Sequence, residues 1–282
     1  MNCNNKIIPI PIEYWPNLMN MYKIDWPKHL LTFYTIKNYI DWKNNPEIEE
    51  EAEEFQFYSL NGDWSDGTHA IIDKSNHVMF NTLNENFKNL SDLLQLLLSI
   101  ENFYLIITPG EIECDVIKFV NKYNLIIGDG NAAYLYHLNK EIALNFDIRP
   151  PSGYKIKTLS EEHANFINNL WKYKHSGSEE YLKKLIQRNL NLGVFDENDC
   201  LVAWCLRVEY GLLGTLQVVD THKRKGLGSL VVKALAKLSA ENNFDSAASV
   251  DIPNISSKKL FEKVGFEQFG MMRYIYLVPK VE

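Results

Sequence analysis

The stretch HKRKGLGSLVVKALAKL, residues 222–238, sets Lys223, Arg224 and Lys225 directly against Gly226-Leu227-Gly228-Ser229 and then opens an apolar-striped segment. Glycines allow a bulky anion close to the backbone, and a helix start presents unpaired N–H groups at the positive end of its macrodipole. Three cations at the rim add mobile charge, so the stretch suits a diphosphate. Two familiar phosphate-binding designs are excluded: GxxxxGK[ST] needs a lysine where Ser229 stands, and GxGxxG needs a glycine where Val231 stands. Read from the residues alone, the alternative stays open that the basic run is a solvated loop or part of an import signal and that the glycines permit only a tight turn.

The elements that position this turn follow from periodicity. Around it, 212–219 (LLGTLQVV) reads as a strand, and 226–243 as a helix with Leu227, Leu230, Val231, Ala234, Leu235 and Leu238 on one face. Upstream come a strand at 154–160, a helix at 161–173 opened by Ser160 as N-cap, a helix at 178–189 with Ser178 as N-cap, and strands at 192–195 and 201–211. Downstream, 244–251 is a strand, 256–264 a helix ended by Gly265, and 272–278 a last strand. Arg149-Pro150-Pro151-Ser152-Gly153 interrupts patterned sequence on both sides and marks a linker between a domain at 1–148 and one at 154–282. The first domain has a similar order: a helix over 28–41, strands at 55–60, 68–73 and 77–83, a leucine-striped helix from Leu90 to Ile100, a strand at 103–108, a helix over 111–123 and a strand at 131–138. The acidic run EIEEEAEE at 47–54 is a solvated helix face, and NGDWSDGT at 61–68 a packed loop between the halves, with a share in closing an acceptor pocket left open. An α/β fold with mixed sheets results, and the repeated order points to an old duplication.

Composition limits the partners. With 36 acidic and 29 basic residues the chain carries a formal charge of −7, which argues against a general nucleic-acid binder because counterion release needs gathered basic residues. No apolar run approaches the roughly 18 residues that span a bilayer, and MNCNNKIIPIPIEYW has neither a signal-peptide core nor an Arg-rich targeting pattern. A cytoplasmic location is the expectation, with a mitochondrial one also compatible. Cys3, Cys114, Cys200 and Cys205 form no CxxC pair and have no His at ligand spacing, so buried reduced thiols and no metal are expected.

With these elements in place, LQVVDTHKRKGLGSLVVKAL resembles motif A of the GNAT superfamily of N-acetyltransferases, whose R/Q-x-x-G-x-G/A turn binds the pyrophosphate of coenzyme A. NISSKKLFEKVGF at 254–266 resembles the downstream N-x-x-A-x-x-L-Y-x-K-x-G-F motif, with Asn254, Leu260, Lys263, Gly265 and Phe266 in register. VAW at 202–204 followed by an unbroken run to Gly226 is similar to the glycine N-acyltransferase-like branch, its insect-type members especially. The resemblance covers about 150–282 and implies tandem GNAT-like domains. The N-terminal half is then a degenerate copy, because NENFKNLSD stands where its third strand would meet a glycine-rich turn.

The family's mechanism sets further expectations. Gln217, Val218 and Val219 would hold pantetheine and the thioester carbonyl; Lys223, Arg224, Lys225, Gly226, Leu227, Gly228 and Ser229 would hold the diphosphate; and Asn254, Ser257 and Phe261 would complete the coenzyme site. Two positions depart from the pattern: the tyrosine that often serves as acid is Phe261, and the glutamate proposed as base in mammalian glycine acyltransferases aligns with Leu212. Glu209, His175 and Tyr274 are the candidate catalytic substitutes, with Asp251 and Tyr276 behind them. The resemblance implies an acyl-CoA-dependent N-acyltransferase that moves an acyl group, acetyl included, to the amine of a small acceptor such as glycine or another amino acid. Its alternatives are a non-catalytic acyl-CoA-binding sensor and a protein N-acetyltransferase.

Overall fold

A computed structural model of the chain describes residues 5–46, 55–74, 77–99, 103, 105–123, 126–127 and 131–278. The acidic run 47–54 lies outside the described residues. In the first half, β1 (Ile7–Pro9), α1 (Trp15–Met21), α2 (Leu30–Lys43), β2 (Phe55–Leu60), β3 (His69–Asp73), β4 (His77–Asn81), α3 (Lys88–Leu97), β5 (Leu105–Pro109), α4 (Glu113–Lys122), β6 (Ile126–Ile127) and β7 (Asn131–Leu138) follow in order. After α5 (Lys140–Leu144), the second half runs β8 (Lys155–Lys157), α6 (His163–Leu170), α7 (Ser178–Arg188), β9 (Asn191–Phe195), β10 (Leu201–Arg207), β11 (Leu213–Val218), α8 (Leu227–Glu241), β12 (Ser246–Asp251), α9 (Ile255–Val264) and β13 (Glu267–Val278). Strand, two helices, three strands, helix, strand, helix, strand: the order repeats, with the two-residue β6 additional in the first half.

Two compact units are built from this chain, residues 1–134 with 270–282 and residues 135–269. In the first, β1, β2, β3 and β4 are successive antiparallel neighbours, β4 pairs parallel with β5, and β5 pairs antiparallel with β13 through Tyr274↔Ile107. The pleat sends alternate residues to opposite faces. On one, Leu90, Leu93, Leu94 and Leu97 of α3 join Val78, Phe80, Ile106, Val116, Phe119 and Ile275 in one cluster. On the other, Trp15 stacks on Phe57 and Tyr39 lies against Phe55, both at 4.1 Å between ring centroids.

In the second unit β8, β9, β10 and β11 pair antiparallel and β11 pairs parallel with β12. Leu159, Ile167, Leu182, Leu185, Trp204 and Leu206 form the core beneath α6 and α7. Ala203 and Cys205, also fully buried, point to the opposite face by the same alternation, and α8 covers these strands there with Leu227, Val231 and Leu235. None of the described helices is long and apolar enough to cross a membrane.

Several expectations are corrected. Ser160 does not cap α6: the helix begins at His163, whose Nδ1 is the partner of both the Ser160 amide (3.1 Å) and its hydroxyl (3.0 Å). Ser178 is the first residue of α7, with left-handed Gly177 before it; its buried hydroxyl accepts from the His175 amide at 3.0 Å and faces Asn168 Oδ1 at 2.6 Å, so it ties the α6–α7 loop down. The strand expected to 211 ends at Arg207 and turns through Gly211. Cys114 and Cys200 are exposed free thiols; of the described cysteines Cys205 alone is buried. In the loop 61–68 Asp66 accepts from the Thr68 amide, Asn84 and Asn89 at 2.9–3.1 Å, so the loop is packed as expected.

Candidate active site

β11 lies between two strands yet is half-exposed from Gly214 to Val218, whereas β10 beside it is buried throughout. Two local features produce this. Pairing with β12 occurs at Leu213↔Ala248, at the very start of β11. Against β10, the register steps from Leu206↔Gly214 to Trp204↔Gln217, so β11 holds one extra residue there. Thr215 takes up that excess with φ 50, a left-handed conformation that costs a β-branched residue on the order of 1–3 kcal/mol. Past that single pair the two strands run on to their C-terminal ends, with Gln217 near the end of β11 and Asp251 at the end of β12.

The chain leaves β11 through Val219, whose amide still donates to Val202 O at 2.9 Å, and a short 3-10 turn at Asp220–His222. Arg224 (φ 65) and Gly226 (φ 81) are both left-handed, and α8 starts at Leu227. Its first i→i−4 bond runs from the Leu230 amide to Gly226 O at 3.0 Å, so the amides of Leu227, Gly228 and Ser229 precede the helical ladder. The glycines differ: nothing lies within 4 Å of a Cβ added at Gly226, whereas one at Gly228 would meet Leu260 Cδ1 at 2.9 Å and Val218 Cγ2 at 3.4 Å. Lys223 Nζ pairs with Asp220 at 2.6 Å and Lys225 Nζ donates to Tyr154 Oη at 3.3 Å. Asn254 Oδ1 caps α9 by accepting from the Ser257 amide at 3.1 Å. Phe261 is in the core, 2% exposed, between Tyr136 and Phe266, and Leu212 is fully buried.

A second group gathers at the other helices of this unit. α6 ends at Trp171, whose extended backbone (ψ 124) starts the loop that carries Lys172, Tyr173 and His175. Trp171 stacks on Tyr181 of α7 (6.0 Å, 14°) and meets Tyr173 edge-on at 5.9 Å. Tyr181 Oη donates to Glu209 Oε2 at 2.5 Å. At the end of β12, Asp251 Oδ2 accepts from Lys172 Nζ at 2.5 Å and from Tyr173 Oη, and the Lys172 ammonium lies 4.5 Å from the Tyr173 ring centre. Burial raises the Tyr173 pKa and Asp251 raises it further, so the phenol stays protonated. For Lys172 partial burial pulls the pKa down, the hydrogen bonds with Asp251 and Tyr173 push it up, and the net shift is upward. His175 Nδ1 faces Ser176 O at 2.7 Å; a carbonyl there requires the Nδ1–H tautomer and leaves Nε2 as the acceptor.

Of the candidate catalytic residues, Glu209, His175 and Asp251 thus share the second unit with the glycine turn, whereas Tyr274 and Tyr276 belong to the first, opposite Ile107 and Leu105. Lys172, Tyr173, Tyr181 and the Thr215 bulge escape the sequence reading. The first two had a visible signal in WKYKH, alternating aromatic and cation between two helices; the bulge had none. Among the described residues no group of three or more His, Cys, Asp or Glu could hold a metal ion.

An FR47-like protein family model matches residues 191–275, from β9 through the bulge, the glycine turn and α8 into β13. The fold is similar to that of a Drosophila protein of known X-ray structure (TM-score 0.86, 21% identity, 98% of this chain and 99% of that one). It is also similar to a tandem GNAT protein from the clavulanic acid biosynthesis pathway, solved without acetyl-CoA (TM-score 0.59, 10% identity, 99% and 100% of the two chains). The fold is a tandem GNAT fold. A GNAT-family acetyltransferase from Colwellia psychrerythraea shares it (TM-score 0.55, 13% identity, 97% and 100%). No curated protein sequence matches this chain. The second unit carries the glycine-rich turn after its fourth strand, β11, and the first unit carries NENFKNLSD in the equivalent place after β4.

Proposed function

We propose that the second unit binds an acyl-CoA and transfers its acyl group to the amine of a small acceptor such as glycine or another amino acid, as a member of the glycine N-acyltransferase-like branch acting in a reducing, cytoplasmic setting. The observation that carries this reading is the half-exposed, bulged β11 opening away from β12 directly before the left-handed turn into α8. The residues present fit the cosubstrate. The amides of Leu227 to Ser229 and the cations Lys223 to Lys225 would hold the diphosphate, with open space at Gly226 for its oxygens. The exposed edge groups of Gln217 to Val219 would hold pantetheine, and a fixed amide there would meet the oxyanion that develops at the thioester carbonyl. Asn254 and Ser257 would line the α9 side of the site through the cap they form. Acyl-CoA supplies an activated carbonyl and a thiolate that leaves without a strong acid.

Proton removal from the acceptor ammonium falls to a carboxylate. Asp251, at the end of β12 and bonded to Lys172, would take that role, and Glu209 with Tyr181 would shape the acceptor side. A second reading, an acyl-CoA sensor without turnover, has its own observation: the positions usually taken by base and acid are Leu212 and Phe261, both buried. Mixing the protein with acetyl-, benzoyl- and longer acyl-CoAs and an amino-acid panel, while following free thiol, separates the two. Acceptor-dependent thiol release supports transfer, whereas tight binding without it supports the sensor.

A further inference from the structure

At the end of β12 the structure holds a primary ammonium of its own. Lys172 Nζ is 2.5 Å from Asp251 Oδ2, its carboxylate partner 79 residues away in sequence, and the same oxygen is fixed by the Tyr173 hydroxyl. Lys157 with Asp199 also spans 42 residues but is exposed on both sides, whereas Lys37 with Asp41, Lys118 with Asp115, Lys183 with Glu179 and Lys223 with Asp220 are all three or four residues apart along the chain. Those are the ordinary neighbours of a solvated helix or turn surface. Asp251 is only 21% exposed at its side chain while Lys172 is 59% exposed, so the ammonium reaches in from solvent to a carboxylate fixed at the last residue of β12, on the side where β11 and β12 no longer pair. The face of Tyr173 beneath it gives the ammonium a second, cation–π contact.

We propose that Lys172 is a site of self-acylation: its Nζ stands where an acceptor amine would stand and takes the acyl group from the acyl-CoA bound by its own chain when no soluble acceptor is present. The inference rests on the acyl-CoA reading above. The step begins with transfer of a proton from the ammonium to Asp251, because a protonated nitrogen has no lone pair with which to attack. The freed lone pair attacks the thioester carbonyl carbon, a C–N bond forms, and the C–S bond breaks with its electron pair leaving on sulfur. Of the three ammonium protons one stays on the amide nitrogen, one goes to the thiolate and one reaches solvent through Asp251. The products are Nε-acyl-Lys172 and free coenzyme A thiol. Neutralising Lys172 also releases Asp251 and Tyr173 from their tethered cation and opens them to a soluble amine.

The test uses the full chain with acetyl-CoA and no amine acceptor, read by intact mass and peptide mapping, beside calorimetry of CoA binding. The expected result is one acetyl group per chain at Lys172, at a rate saturating in acetyl-CoA and independent of protein concentration. It should vanish in Lys172→Arg and slow about a hundredfold in Asp251→Asn, with the melting temperature of both variants unchanged. Acetyl groups spread over surface lysines according to exposure, or Lys172 modified as fast in Asp251→Asn, would overturn the proposal. Unmodified Lys172 in a chain that binds CoA also overturns it but leaves the acyl-CoA reading standing. Failure to bind CoA removes both.

Discussion

At Gly226 the backbone is left-handed and the space a side chain would enter is empty, whereas at Gly228 an added Cβ would press on Leu260 and Val218. The sequence spaces the two glycines identically for an anion turn or a helix packed close, and only coordinates tell them apart. Asp tolerates left-handed φ better than most residues, so Gly226→Asp is expected to keep the fold and put a carboxylate in the anion site. CoA affinity should fall by at least about tenfold, since one unit of repulsion at a few ångströms is worth more than 1 kcal/mol near a surface. Gly228→Ala instead overfills the contact between α8 and α9, and about 1–3 kcal/mol of stability should be lost. Calorimetry and thermal unfolding of the two variants check this; unchanged affinity in Gly226→Asp would mean that the turn holds no diphosphate. The cysteines divide in the same manner. Burial pushes the Cys205 thiol up to about 12, while Cys114 and Cys200 are exposed. Iodoacetamide on the native protein near pH 8 should therefore label Cys114 and Cys200 and spare Cys205, as peptide mapping would show.

Elements with a long stripe were legible, and those defined by a partner were not. The leucines of α3 and the apolar face of α8 span two turns or more, enough for periodicity to register, while β1 and α5 hold 3 and 5 residues. The Thr215 bulge is a mismatch between two strands, so no single stretch of sequence encodes it. His69 on β3 illustrates the same limit: its surroundings come from other elements, for it is 1% exposed, with Nδ1 at 2.9 Å from Gly67 O and Tyr22 at the end of α1 beside it. Burial lowers its pKa from 6.5 to about 4, against the opposing effect of the Gly67 carbonyl. Since the folded value lies below the unfolded one, the unfolded chain binds the extra proton. Stability should be full above about pH 6.5, fall as pH drops towards about 4, and lose on the order of 3 kcal/mol across that window. Urea unfolding of the wild type and His69→Gln at a series of pH values measures this, and equal pH slopes for the two would contradict it.

Sequence halves and folded units do not coincide, and that has consequences for the intact chain. Residues 149–153 lie within the second unit, which begins at Leu135, and the first unit takes in Gly270 onward. In the second unit Tyr136 stacks near Phe261 and donates to Glu262 at 3.2 Å, His137 donates to Asp245 at 2.8 Å, and Lys237 of α8 donates to Phe146 O at 2.9 Å. A fragment of 154–282 lacks every one of these partners. In the first unit β13 continues the sheet beside β5, with Ile275 buried in the core and Arg273 bonded to Glu113 at 2.5 Å, and a fragment of 1–148 lacks all of that. Neither fragment alone can satisfy its own sheet, and a strand left unpaired in this way is a site for aggregation. Cleavage of the folded chain inside the exposed 149–153 segment is a different matter, because every strand stays in its sheet. The nicked protein is therefore expected to elute from size exclusion as one species at the intact mass and to keep its melting temperature within a few degrees, while the separately expressed fragments 1–148 and 154–282 aggregate. Two soluble, independently folding fragments would show instead that each half closes its own sheet with its own last strand.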